Sequence, residues 1–522
     1  MKMPLRSATL TGLSLMLLAL PVQAQSRDRA STPDRDKWNL TEIYPSDEAW
    51  KTAQKKLVAE LPALEKFRGT LSQSPERLLA CLELQSRLNK EFSRLFVYAS
   101  MHSDEDTRET KYQALKQEMT QLGSDFAAKT SFVEPEILKM DRSTVDGFLA
   151  KDKKFQAYRH SVDDLFRRKA HTGTEGEEKI LADAGLVTGT AQTIFGIFSD
   201  ADFPNPEVTL SDGKKVKLDS STFSLYRAVP NREDRKKVFA TFFGKREEFR
   251  RTFGAQLSGN VSKDMFIARA RKYSSSLESA LDPNAVPVSV YQNLVTGVNA
   301  NLATFHRYLK LRQRILGVDS LHYYDLYASL LPGVDLEYTT AESQANILAA
   351  VAPLGADYVA TINKAFNERW IDMYPSEGKR PGAYSNGGAY DVHPYMLLNY
   401  NGKYSDMSTL AHELGHTMQS YYSNKNQPYP DANYPIFVAE VASTFNEALL
   451  IDTMLKKIPD DAARLSLLGE YLEGAKGTVF RQTQFAEFEL RIHEQAEKGE
   501  AITGDSLDKL YLEIARKYYG HD

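Results

Sequence analysis

Residues 405–420 read SDMSTLAHELGHTMQS, and within them His412, Glu413 and His416 form H-E-x-x-H. The four-residue step puts both imidazoles on one face of a helix, one turn apart. Two neutral ring nitrogens so spaced can grip one Zn2+ at about 2.0–2.1 Å. Glu413 sits beside that face and reaches a water on the metal rather than the metal itself. It can act there as general base and then pass the proton to a leaving amine. With 10 histidines in 522 residues, chance yields this motif roughly 0.01 times per chain of such composition. Two surface histidines on an amphipathic helix are the alternative.

A catalytic zinc site needs a third protein ligand and an open position. The H-E-x-x-H-x-x-G-x-x-H solution is excluded, because Gln419 and Tyr422 stand where it requires Gly and His. Another segment must supply the ligand. Residues 436–450, IFVAEVASTFNEALL, form an apolar helical stretch holding two acids, Glu440 and Glu447. Acids on so apolar a segment are costly to bury unless paired or metal-bound. Seven residues apart, they share one face. Glu440 is the expected ligand and Glu447 the acceptor for the spare N–H of a ligating histidine. The reverse assignment and a solvated helix face are the alternatives. The intervening NKNQPYPDANYP is a proline-rich loop that lets the second helix return beside the first.

The elements that must position these residues are mainly α-helical. Apolar residues recur at three- and four-residue steps from Trp38 to about Asp200, with charged residues between them. EVTLSDGKKVKL at 207–218 breaks the pattern. Its alternating Val208, Leu210, Val216 and Leu218 flank Asp212-Gly213, a hairpin signal. We therefore divide the chain into an N-terminal helical region, 25–205, and a catalytic region, 206–522. Just ahead of the histidines, EGKRPGAYSNGGAYDVHPYMLLNYNGKY is rich in Gly, Tyr and Asn. It reads as a loop followed by a short strand, Tyr395–Tyr400. A structural loop and a substrate-lining edge are both open for it. Tyr384, Gly388 and His393 are the residues in it named as substrate contacts; for His393 an ordinary loop histidine is equally open. His493-Glu494 is followed by Glu497 rather than His and reads as a polar helix face.

Composition narrows the function further. Lys plus Arg is 65 against 69 for Asp plus Glu, which gives no global attraction to nucleic acid or anionic membrane. A single cysteine, Cys81, rules out an intrachain disulfide and reads as a core residue. Residues 1–24 begin with Lys2 and Arg6, continue through an apolar run, and end in Val22-Gln23-Ala24. That is the pattern of a secretory signal peptide. Its apolar core is too short for an anchor of about 20 residues. The expected mature protein is exported, periplasmic or secreted, without stable membrane association, and carries a formal charge of -6 once Lys2 and Arg6 are removed from a chain of -4.

At these residues the sequence resembles the oligoendopeptidase F branch of the thimet-oligopeptidase-like zinc metallopeptidases. DMSTLAHELGHTMQSYYS resembles the branch's zinc helix, with Asp406 and Thr409 ahead of His412. FVAEVASTFNE resembles its second signature, with Glu440 at the third-ligand position and Glu447 at the supporting acid. KRPGAYSNGGAYDVHPYMLLNY resembles the glycine–tyrosine loop and edge strand beside the cleft. KWNLTEIYPSDEAW resembles the start of the mature domain, and ARARKYSSSLESAL a helix of the catalytic region. The resemblance implies a mainly α, two-lobed peptidase around a deep channel, with a small β-sheet beside the active site. It also implies one Zn2+ held by His412, His416 and Glu440, with Glu447 and Asp406 in support. Short peptides would be cut internally, their backbone pairing with an edge strand at 395–400.

The branch normally continues past the point where this sequence ends in RKYYGHD. The added segment, rich in Tyr with a His, supplies oxyanion donors. The expectation is therefore a C-terminally shortened chain, with loss of such a donor costing on the order of 100- to 1,000-fold in turnover. A zinc-bound peptide-binding remnant and an exopeptidase of the same fold are the competing readings.

Overall fold

The helical periodicity of the N-terminal half becomes a stack of antiparallel helices. In the computed structural model, which describes residues 28–331, 334 and 336–521, α1 (Asp47–Glu60) leads to the long α2 (Pro75–Glu105) and back along α3 (Thr110–Thr130). The expected signal peptide lies outside the described residues. Ser46 and Ser74 cap α1 and α2 by accepting from the Ala49 and Arg77 amides, and Pro75 occupies the first helical position of α2. Trp50, Leu57, Leu64, Leu88, Leu95 and Met119 form the core between them. Cys81 is buried in a second cluster with Phe132 and Val145. Burial pushes its thiol up to about 12, so it stays protonated and inert. The expected hairpin is present: β1 (Glu207–Thr209) pairs antiparallel with β2 (Lys215–Lys217). Val208, Leu210, Val216 and Leu218 are all buried, and Gly213 takes the left-handed turn position at φ 85°. The ARARKYSSSLESAL segment is two helices rather than one, broken at Lys272 (φ 61°) and restarted by the Ser275 cap.

A three-stranded sheet joins the N-terminal helices to the rest. β3 (Ile371–Asp372) runs parallel to β5 (Tyr395–Leu397), and β4 (Tyr384–Asn386) pairs antiparallel with the other side of β5. The segment expected at the edge is therefore the central strand, and β4 is an edge. The correction has a physical cause: β5 is buried on both faces. Tyr395 and Leu397 pack into the N-terminal core, while Met396 and Leu398 pack into the second large core. Lys379, fully buried, holds this corner together. Its Nζ lies 2.7 Å from Asp372 Oδ1 and donates to the carbonyls of Asp372, Tyr374 and Leu398. Arg29 clamps the far side of Asp372 at 3.0 and 2.6 Å and reaches Glu105 at 2.8 Å.

The second core is built on α4 (Tyr404–Asn426) and α5 (Ile436–Lys457). Met407, Leu410, Leu414 and Met418 of α4 meet Leu450 and Met454 of α5. From α5 the chain turns into α6 (Asp461–Ala475), then a π-helical segment, Lys476–Arg481. It continues into α7 (Gln482–Glu497) and α8 (Gly504–Tyr519). No helix among the described residues is long and apolar enough to cross a membrane.

Candidate metal centre

α4 starts where Asp406 stops the preceding loop. Its Oδ2 accepts from the amides of Asn401 and Lys403, each at 3.0 Å, so Asp406 caps the helix start and does not touch the histidines. Two turns on, His412 and His416 face the same side. Their Nε2 atoms are 3.2 Å apart. Glu440 Oε2 from α5 completes a triangle, 3.3 Å from His412 Nε2 and 3.4 Å from His416 Nε2. These edges can be compared with a metal site. Ligands at about 2.05 Å around a tetrahedral ion lie about 3.3 Å from one another, so the donor set and its spacing fit Zn2+ without rearrangement. The Glu440 side chain is 60% exposed, which leaves one side of the triangle open to solvent and substrate.

Supporting contacts orient each ligand. Glu447 Oε2 lies 3.4 Å from His412 Nδ1 and the Ser408 hydroxyl donates to its other oxygen at 3.3 Å. A proton on Nδ1 shared with Glu447 would leave the Nε2 lone pair facing the triangle. Burial alone would lower the His412 pKa, but the neighbouring Glu447, Glu413 and Glu440 outweigh it and raise it. Burial lowers that of His416, which leans on the Ala439 backbone. Glu440 is held by Ser443, whose hydroxyl donates to Oε2 at 2.8 Å.

Glu413, next to His412 on α4, is hydrogen-bonded by the Ser385 backbone of β4 and feels the charges of His412, Glu440 and Glu447. It is 6% exposed, and burial pushes its carboxyl up to about 7. Oε2 has no hydrogen-bond partner. A carboxyl group poised near neutrality, with a free oxygen, has the properties of a proton-transfer group.

Residues with no marked signal in the sequence prove to be necessary for this geometry. A Cβ on Gly415 would lie 2.5 Å from Ser443 Cα and 2.6 Å from the Ala442 oxygen, so α4 and α5 cross with backbones nearly touching. Ser443 and Asn446 fill the seam, and Asn446 Nδ2 donates to the Ala411 carbonyl at 3.1 Å. The available signal was a glycine inside a helix, which costs about 1 kcal/mol and calls for a packing reason. The apolar face of α5 also differs from expectation. Ile436, Phe437, Val441 and Phe445 are exposed, and the buried face carries Ser443, Asn446 and Leu450. Burial of the two acids is therefore not what fixes them; the close helix crossing is.

The three residues named as substrate contacts make other contacts. The Tyr384 hydroxyl donates to Asp104 Oδ2 at 2.9 Å. Gly388 packs against Val97, its amide bonded to Asn386 Oδ1 at 2.9 Å. His393 stacks on Trp370 at 4.2 Å and lies 3.5 Å from Glu42. Burial lowers its pKa. β4 itself, however, lies against α4: Ser385 and Thr417 share a hydroxyl hydrogen bond at 2.8 Å.

Comparison with known proteins identifies the family. The pattern of peptidase family M3 matches residues 225–522, and that of oligopeptidase F matches residues 136–204. Oligopeptidase PepF of Bacillus subtilis (strain 168) is 38% identical over 496 residues, covering 95% of this chain and 74% of its own. Group B oligopeptidase PepB of Streptococcus agalactiae is 38% identical over 495 residues, covering 95% and 82%. Among solved structures, oligoendopeptidase-F from Enterococcus faecium superposes with a TM-score of 0.70 at 31% identity, covering 91% of this chain and 80% of that one.

Proposed function

The chain belongs to peptidase family M3 and is a metallopeptidase of oligopeptides, and we propose that it is a zinc-dependent endopeptidase cutting internal bonds of short peptides. The observation that carries this is the triangle of His412 Nε2, His416 Nε2 and Glu440 Oε2 with tetrahedral spacing. The chemistry that Zn2+ supplies when bound is Lewis acidity, which polarises a scissile carbonyl and eases deprotonation of water.

The chain's own residues do the rest. His412, His416 and Glu440 hold the ion, and Glu447 keeps His412 in the metal-binding tautomer. Glu413 takes a proton from the attacking water at Oε2, its partner-free oxygen, and returns it to the leaving amine. The low exposure of Glu413 excludes bulk water from that transfer. β4 is an edge strand beside Glu413, suited to receiving a substrate strand that lays the scissile bond across the triangle. Export by the N-terminal 24 residues is part of the same reading, supported by their charge and apolar pattern. N-terminal sequencing of the cell-produced protein beginning at Met1 would contradict it.

The test of the catalytic assignment is Glu413→Gln. The variant keeps zinc bound at wild-type stoichiometry and loses cleavage of an N-terminally blocked peptide by a factor of about 100 or more. Near-wild-type cleavage would remove Glu413 from the mechanism.

A further inference from the structure

Away from the metal triangle, the ring of Tyr327 is surrounded by cations. The Arg227 guanidinium lies 3.6 Å from its centroid, Lys476 4.9 Å and Arg481 5.7 Å. The carboxylates of this region are already engaged. Glu473 takes Lys476, Arg312 and the Tyr308 hydroxyl. Asp325, fully buried, takes Arg232 at 2.9 Å and Arg235 at 3.0 Å. Arg227 and Arg481 reach neither. Among the described residues, their side chains have aromatic faces and no carboxylate: Phe223 at 5.6 Å for Arg227, and Phe485 at 5.3 Å for Arg481.

Both arginines are half-buried, and two like charges around one ring without a counter-ion are unfavourable. Burial, reinforced by Arg481, lowers the Arg227 pKa. The backbone is shaped to maintain the arrangement. Lys476 and Arg481 begin and end the π-helical segment. Its i→i+5 bonding stacks these two residues on one face, whereas an α-helix would splay them, and such segments frequently mark functional sites. Planar guanidiniums in a pair match the two oxygens of a carboxylate.

The π segment that carries Arg481 follows directly on α6. α6 packs against α5 and runs back from its C-terminal end. Val441, Phe445, Leu468, Leu472 and Val479, on α5, α6 and the π segment, are exposed apolar side chains.

We propose that Arg227 and Arg481 form a carboxylate-binding subsite for the free C-terminal carboxylate of the bound peptide. The identity of the ligand rests on the oligopeptidase reading; the anion site rests on the uncompensated arginines. The subsite anchors the end of a short peptide and so measures its length on the C-terminal side of the cut.

The experiment compares one N-acetylated peptide as free acid and as C-terminal amide. Equilibrium binding is measured on the full Glu413→Gln chain, and kcat and KM on the wild type. Amidation is expected to weaken binding and raise KM by about tenfold or more with little change in kcat. In Arg227→Gln and Arg481→Gln the acid and amide are expected to bind alike. Equal binding of acid and amide to the unsubstituted arginines overturns the subsite without requiring any arginine variant to fold. Recovery of the loss by an amide bearing an internal glutamate overturns assignment to the peptide terminus. An acid–amide difference in binding without cleavage by the wild type would sink the endopeptidase reading and leave the subsite standing. Cleavage with no difference would do the reverse.

Discussion

Gly415→Ala tests whether the close helix crossing makes the metal site. The added methyl would sit 2.5 Å from Ser443 Cα, 2.6 Å from Ser443 N and 2.6 Å from the Ala442 oxygen. Carbon atoms in contact prefer about 3.5–4.0 Å, and the opposing atoms are backbone, which cannot rotate away. α4 and α5 must then separate by about 1 Å at the level of the site. The histidines travel with α4 and Glu440 with α5, so the shift falls on the 3.3 and 3.4 Å edges of the triangle. Ligand distances tolerate only about 0.2 Å. Zinc affinity should fall about 100-fold, with cleavage falling in parallel at limiting zinc. Folding should survive: overpacking costs about 1–3 kcal/mol, and removing a mid-helix glycine returns about 1 kcal/mol. Zinc affinity is measured by chelator competition, with thermal melts alongside. A folded Gly415→Ala chain with wild-type zinc affinity would refute the argument that the crossing distance sets the ligand geometry.

Two further predictions concern the surroundings. Glu447→Gln leaves all three ligands in place but weakens the hold on His412 Nδ1, so zinc affinity should drop about 10- to 100-fold with no comparable loss of thermal stability. Glu105, half-buried between Arg29, His102 and the Trp38 indole N–H, would be raised by desolvation, but those partners bring its pKa below the usual glutamate value. A depressed pKa gives stability that is present above the unfolded value of about 4.3 and is lost as pH falls through the folded one. Melting temperature should therefore decline from pH 5 to pH 3, and Glu105→Gln should both lower it at pH 7 and flatten that decline.

The part of this site legible in the sequence is the part that follows from spacing. His412, Glu413 and His416 needed a helix period, and Glu440 and Glu447 needed a second helix of the same period. The hairpin at 207–217 followed from alternation around Asp212-Gly213. What was not legible depends on distant segments. β5 is central because Ile371–Asp372, two residues with no pattern of their own, add to its far side. The roles of Tyr384 and His393 are set by Asp104 and Trp370, remote in sequence. Ser443 and Gly415 are small residues whose importance is a distance between helices, which no one-dimensional pattern records. Arg227 and Arg481 carried no signal because a missing counter-ion is visible only once every neighbour is in place.

The central claim is that His412, His416 and Glu440 hold one zinc on which peptide cleavage depends. The direct measurement is a zinc titration of chelator-stripped protein, following cleavage of an N-terminally blocked peptide and bound zinc together. The account predicts no cleavage without metal, a linear return that saturates at about one zinc per chain, and no return in His416→Ala. Cleavage that persists in the stripped protein, or that returns equally in His416→Ala, would contradict it.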